Sequence, residues 1–112
     1  MAGDHPQLKD VQEARDRIAA AIRRTPLVFS QKLSEHRGAP VHLKMEHQQT
    51  TGAFKLRGAT NAVLKLPSSD RARRVVTAST GNHGRALAHA AGEAGARCVV
   101  CLSKLVPGNK VE

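Results

Sequence analysis

Hydrophobic positions along the chain follow two rhythms, one helical and one strand-like. Val11, Ala14, Ile18 and Ile22 recur at three- and four-residue spacing between Glu13, Arg15, Asp16 and Arg17, which predicts an amphipathic helix over 11–22. It should stop before Thr25-Pro26, because proline pushes the residue before it out of the helical region. Ser30 is placed to cap a short helix ending at Gly38. Val41, Leu43 and Met45 then alternate with His42, Lys44 and Glu46 as in a strand, and the polar stretch 48–52 reads as a loop. Beyond it, Ala59, Ala62, Val63 and Leu66 form the apolar stripe of a helix over 54–66 closed by Pro67, with Lys55 in its first turn.

The second half repeats the pattern more tightly. A short helix over 69–73 capped by Ser69 precedes a buried strand, Val75-Val76-Thr77-Ala78. Ser79 to Gly84 is a turn into a helix with the stripe Leu87, Ala90, Ala91 and Ala94, ended by Gly95, and Arg97 to Ser103 is a further strand. Residues 107–112 read as a turn and the start of another helix. Helices alternating with short continuous apolar strands predict an α/β protein with a parallel sheet. So few strands leave edges that a partner or further chain should cover, and the last helical stripe is expected to stay partly exposed.

Composition narrows this picture. The 112 residues are 40% hydrophobic and 24% charged, with Phe29 and Phe54 as the only aromatics, so one modest core must be built from Ala, Val, Leu and Ile. Eighteen Lys and Arg against nine Asp and Glu leave a net charge of +9. These basic residues are dispersed except at Arg71, Arg73 and Arg74, and no aromatics stand among them to stack on bases, which argues against nucleic acid. A non-catalytic basic binding module is nevertheless the competing reading from another class. No apolar run approaches the roughly 20 residues that span a bilayer, and residues 1–10 are polar, so no membrane partner and a cytoplasmic location are expected. Cys98 and Cys101 form a CxxC inside an apolar run. Three residues apart on a strand they face opposite ways, and no second pair completes a site, so they read as reduced core cysteines with no metal. His5, His36, His42, His47 and His89 show no ligand spacing and read as surface or boundary residues.

Two stretches carry chemistry. Thr50-Thr51-Gly52-Ala53-Phe54-Lys55-Leu56-Arg57-Gly58-Ala59 presents a lysine at a helix start. A free lysine has a pKa of about 10.4 and is nucleophilic only when neutral, so carbonyl binding asks for a desolvated or cation-rich setting. By spacing alone Lys55 reads first as a surface lysine on an amphipathic helix, as most lysines are. Ala78-Ser79-Thr80-Gly81-Asn82-His83-Gly84 gathers hydroxyls, an amide and free helix N–H groups around one point, as an anion requires. It reads just as well as a capped helix start, with Ser79 or Asn82 as N-cap.

Together these stretches resemble the fold-type-II pyridoxal-phosphate (PLP) enzymes that include threonine dehydratase, serine racemase and threonine synthase. That family shows Ser/Thr-Gly-Ser/Ala-Phe-Lys-x-Arg-Gly-Ala, matched from Thr51 to Ala59, and Ser-x-Gly-Asn-His, matched from Ser79 to His83. Arg24-Thr25-Pro26-Leu27 and Leu43-Lys44-Met45-Glu46 agree as well, so the match spans about residues 11–112. Arg57 to Val63, Thr77 to Ala88 and Leu105-Val106-Pro107 look most like hydroxyectoine-utilisation dehydratases.

The resemblance implies the N-terminal portion of the tryptophan synthase β-like, two-domain parallel-sheet fold. Residues 1–74 would start the large domain and 75–112 the small one. It implies that Lys55 binds PLP covalently and exchanges protons at the substrate Cα, that Phe54 packs beside the cofactor, and that Asn82 hydrogen-bonds its 3′ oxygen. Ser79, Thr80, Gly81, Asn82 and His83 would hold the carboxylate of an amino acid substrate. The implied reaction turns L-threonine or L-serine into a 2-oxo acid and ammonia, in amino acid or hydroxyectoine catabolism. A hydroxyl at Thr80, on the cofactor face opposite Lys55, makes racemisation the alternative. The family's phosphate-binding glycine loop and its partner for the pyridine nitrogen have no counterpart in these residues. The chain is thus expected to be an N-terminal piece, inactive alone, of a homo-oligomeric enzyme, with a shortened regulatory subunit as a third reading.

Overall fold

The computed structural model describes residues 5–105. Helix α1 (Leu8–Ile18) opens with a capping box in which the Gln7 N–H donates to Asp10 Oδ2 at 2.7 Å. It starts and stops earlier than the periodicity predicts, and residues 19–22 are turns. Beyond those turns the Gln49 carboxamide accepts from the Arg23 N–H (2.9 Å) and donates to the Arg23 carbonyl (2.7 Å), so the peptide that follows the helix is tied to a loop 26 residues on.

Strand β1 (Leu27–Phe29), which the pattern does not announce, pairs antiparallel with β2 (His42–Lys44) in the register Val28 to Leu43. Its three apolar residues have no alternation of their own and become a strand through the partner. Between them α2 (Gln31–Arg37) is capped as expected: the Ser30 hydroxyl accepts from the Leu33 N–H, and Gly38 closes the helix at φ 71°. A single 3-10 turn (Glu46–Gln48) and the bend at Gly52 (φ 73°) lead into α3 (Lys55–Lys65).

Pro67 sits at the start of α4 (Ser68–Arg73), so Ser69 lies inside the helix rather than capping it: proline's fixed φ pre-sets the entry one residue earlier. Strand β3 (Val75–Ala78), α5 (Asn82–Glu93) and β4 (Cys98–Cys101) form a parallel β-α-β unit with Val76 paired to Val99. The parallel sheet predicted from sequence is this pair. Its strands alternate half-buried and exposed positions instead of being buried throughout, and Cys101 is exposed rather than in the core.

The core is the seam between α3 and α5. Leu56, Ala59 and Val63 meet Ala86, Leu87 and Ala90, with Ile22, Val75, Ala94 and Cys98 packed around them. The small residues of α5 permit a close approach of the two helices, and α3 covers the stripe that was expected to stay partly exposed. Burial also corrects the α3 stripe: Leu56 is fully buried and Ala62 is exposed. Replacing Leu56 by Ala should therefore destabilise the protein by about 2–5 kcal/mol in denaturant unfolding, whereas Ala62→Ser should change stability by less than about 0.5 kcal/mol.

Candidate functional site

Lys55 is the first residue of α3 and is exposed, with its Nζ 5.2 Å from the centroid of the exposed Phe54 ring. Three consecutive side chains leave the first turn of this helix in different directions. Leu56 enters the core, Arg57 turns to Glu46, and Lys55 is left free. Among the described residues its amine has the Phe54 ring beside it and takes part in no hydrogen bond or ion pair.

The loop before Lys55 is fixed from both ends. Arg57 donates from Nε to Glu46 Oε2 at 2.9 Å and from Nη2 to Glu46 Oε1 at 2.7 Å, a two-pronged ion pair. The Thr25 hydroxyl also donates to Glu46 Oε1, and Lys44 Nζ donates to the Thr25 carbonyl at 2.7 Å. Gln49, 3% exposed, ties the loop to Arg23 and also accepts from the Thr50 N–H. The Gly52 N–H closes the turn on the Gln49 carbonyl at 2.7 Å. Within this loop Thr51 is buried, and its hydroxyl oxygen has no hydrogen-bond partner among the described residues.

The second group lies between β3 and α5. The Ser79 hydroxyl accepts from the N–H of Gly81 (3.3 Å) and of Gly84 (2.9 Å), while its own N–H donates to the Cys101 carbonyl (3.1 Å). Ser79 thus acts as the cap, reaching the third residue of α5 from three positions before the helix; Asn82 is inside the helix and does not cap it. Gly84 is required for this. A Cβ there would stand 2.9 Å from Val100 Cγ1 and 3.2 Å from Ser79 Cβ. Thr80, Asn82 and His83 are exposed, and no hydrogen bond among the described residues engages their N–H groups.

The predicted site residues therefore form two clusters, Phe54-Lys55 and Ser79 to His83, at the starts of two helices that share one core. Sequence reasoning did not assign functions to Glu46, Arg57, Thr25 and Gln49. Glu46, Arg57 and Thr25 lay inside the segments matched to the family, whereas Gln49 gave only the sign of a polar residue in a loop. Cys98 and Cys101 point to opposite faces of β4, and burial raises the pKa of the Cys98 thiol.

A β-α-β unit joined to a lysine-bearing helix, with a hydroxyl-rich turn at the neighbouring helix start, agrees with what the resemblance to fold-type-II pyridoxal-phosphate enzymes implies. A family model described as pyridoxal-phosphate dependent enzyme matches residues 18–112, and the chain belongs to that family. It is 58% identical over 104 residues to a provisionally named threonine dehydratase of Sinorhizobium fredii, covering 93% of this chain and 31% of the relative. It is 42% identical over 101 residues to an L-threonine ammonia-lyase of Geobacter sulfurreducens, covering 90% of this chain and 25% of that one. The crystal structure of serine racemase from Dictyostelium discoideum superposes with a TM-score of 0.89 at 38% identity, over 94% of this chain and 34% of that chain. The chain thus spans about a third of the length of these relatives or less.

The residues present suit the family's cofactor. An exposed amine stands beside an aromatic ring, a buried hydroxyl in the same loop has no partner, and the start of α5 offers unengaged N–H groups to an anionic group. The Glu46 carboxyl is lowered from 4.5 to about 2, first by the hydrogen bonds from Arg57, against the opposing effect of burial, then by Thr25. Because the folded value lies below the unfolded one, the pair's contribution to stability is complete above pH 4.5 and disappears as pH falls through about 2. Acid unfolding followed between those values should show a slope that Glu46→Gln reduces, with the variant less stable by about 1–3 kcal/mol at neutral pH.

Proposed function

We propose that the protein carrying this segment deaminates a β-hydroxy amino acid such as L-threonine or L-serine to a 2-oxo acid and ammonia, by loss of water and its return on hydrolysis, with Lys55 as the residue that takes PLP covalently. The observation that carries this reading is the free amine of Lys55 on a helix start whose two neighbouring side chains are both fixed. When bound, PLP supplies an electron sink for the pair left at the substrate Cα. Phe54 offers a ring face beside the cofactor, and the Asn82 carboxamide hydrogen-bonds the 3′ oxygen. The Ser79 hydroxyl, already accepting two N–H bonds, keeps its own proton to donate to the substrate carboxylate. Thr80, Gly81, Asn82 and His83 surround the same carboxylate. With the cofactor bound, Lys55 Nζ would accept the proton from the substrate Cα and could return one to the β-hydroxyl, which would leave as water; hydrolysis of the released enamine would give the 2-oxo acid and ammonia.

The assignments of Arg57 to Val63 and Thr77 to Ala88 as hydroxyectoine-dehydratase-like extend the proposal to hydroxyectoine catabolism. In the same reading residues 1–74 open the large domain and 75–112 the small one, so the α3–α5 seam becomes the contact between them. The enzyme is a cytoplasmic homo-oligomer acting on a small-molecule amino acid. Among the described residues no helix is long and apolar enough to cross a membrane.

Racemisation is the second reading, favoured by the exposed hydroxyl of Thr80 and the likeness to serine racemase. Borohydride reduction of the PLP-loaded protein followed by peptide mapping should place the pyridoxyl group on Lys55; finding it on Lys44 or Lys65 instead would overturn the assignment. Chiral analysis of the products from L-serine and L-threonine should show 2-oxo acid formed faster than D-amino acid. The reverse order would replace elimination by racemisation.

A further inference from the structure

We propose that Arg57 is a positioning residue: its two-pronged pair with Glu46 holds the first turn of α3 so that Lys55, and no neighbouring lysine, is presented to the cofactor carbonyl. This rests on the reading of Lys55 as the attachment residue. The first residues of an α-helix are its weakest, because their N–H groups have no partner one turn back. Lys55 stands at that position, and no side-chain cap at Phe54 supports it. What fixes the direction of its side chain must therefore come from the residues beside it.

Successive helical residues are rotated by about 100°, so Leu56 and Arg57 grip the turn from two sides and leave the third to Lys55. Leu56 supplies a non-directional grip through full burial in the α3–α5 core. Arg57 supplies the directional one. Two parallel hydrogen bonds to one carboxylate fix the guanidinium plane as well as its distance, which a single contact does not do. The carboxylate is itself immobilised: Glu46 accepts from Thr25, whose carbonyl accepts from Lys44. The same chain of contacts therefore engages Lys44, the lysine that would otherwise compete for a carbonyl compound, while leaving Lys55 free.

The test is reductive pyridoxylation at limiting PLP in the protein carrying this segment, with the label at Lys55, Lys44 and Lys65 quantified by peptide mapping. Arg57→Met and Glu46→Gln should lower the labelling rate at Lys55 by about 10- to 100-fold and raise the share at Lys44. Arg57→Lys, which keeps the charge and loses the fork, should fall between them and the parent. Gly38→Ala, which strains the left-handed end of α2 away from this network, serves as the control for stability alone and should leave the distribution of label unchanged, each variant being assayed below its unfolding midpoint. Parent-like labelling of Lys55 in folded Arg57→Lys and Arg57→Met would overturn the positioning role while leaving the attachment reading intact. Absence of label on Lys55 in the parent would instead overturn the attachment reading, and a shift of label in Gly38→Ala equal to that in Arg57→Met would reduce Arg57 to a general stabiliser.

Discussion

The ion pair between Glu46 and Arg57 is where the separate parts of this chain are made to agree. It joins the loop before the lysine helix to the helix itself, and through the Thr25 hydroxyl and carbonyl it reaches the segment after α1 and the end of β2. A half-buried ion pair is not favourable by proximity alone, since each charge loses water; it needs additional hydrogen bonds. Thr25 supplies one to the carboxylate, and the depressed pKa of Glu46 shows the net balance favouring the charged form. Removal of either charge would leave the other poorly solvated, so the segments carrying these three residues are tied in composition as well as in space.

Around that pair, two kinds of rigidity are combined. Apolar packing of Leu56, Ala59 and Val63 on Ala86, Leu87 and Ala90 fixes how far α3 stands from α5, with little directional preference. Polar contacts set direction. Gln49 brackets the Arg23 peptide, Glu46 forks with Arg57, and Ser79 holds the first turn of α5. Gly84 is the point where the two kinds meet, because the Ser79 hydroxyl can reach its N–H only if no Cβ stands against Val100.

What could be read in the sequence was what repeats locally. The stripe Leu87, Ala90, Ala91 and Ala94 follows helical spacing, Ser30 and Gly38 bracket α2 by cap chemistry, and the β3 and β4 runs are short and mostly apolar, so each of these was legible. β1 was not, because Leu27-Val28-Phe29 owes its strand geometry to β2, more than ten residues away. The contact that fixes the chain after α1 was hidden for a similar reason: Gln49 pairs with the distant Arg23 peptide, and such a carboxamide looks like any other loop glutamine. Leu56 fell outside the predicted stripe because the face of α3 that is buried is decided by where α5 lies. Of the site, Lys55 and the Ser79 to His83 turn were visible through their resemblance to a family, whereas the role of Arg57 depends on a contact eleven residues away in sequence.

Burial divides the labour. The groups assigned to chemistry are open: Lys55, Phe54, Thr80, Asn82 and His83 are all exposed in these residues. The groups around them are covered, as with Leu56, Gln49 and Thr25, or locked in hydrogen bonds, as with Glu46 and Arg57, while Ser79, half-buried and holding two N–H groups, belongs to both sets. That arrangement follows from what each group must do. A positioning residue gains from low local dielectric and from losing its rotamers during folding, because its energy is then spent before a ligand arrives. A nucleophilic amine or a carboxylate-binding N–H must stay accessible, and acquires its final surroundings only when the ligand and the remaining walls of the site close over it. The buried hydroxyl of Thr51, four residues before the lysine and without a partner among the described residues, lies on the boundary between the two groups. It carries the desolvation cost of a positioning residue without, among the described residues, the hydrogen bond that would offset it.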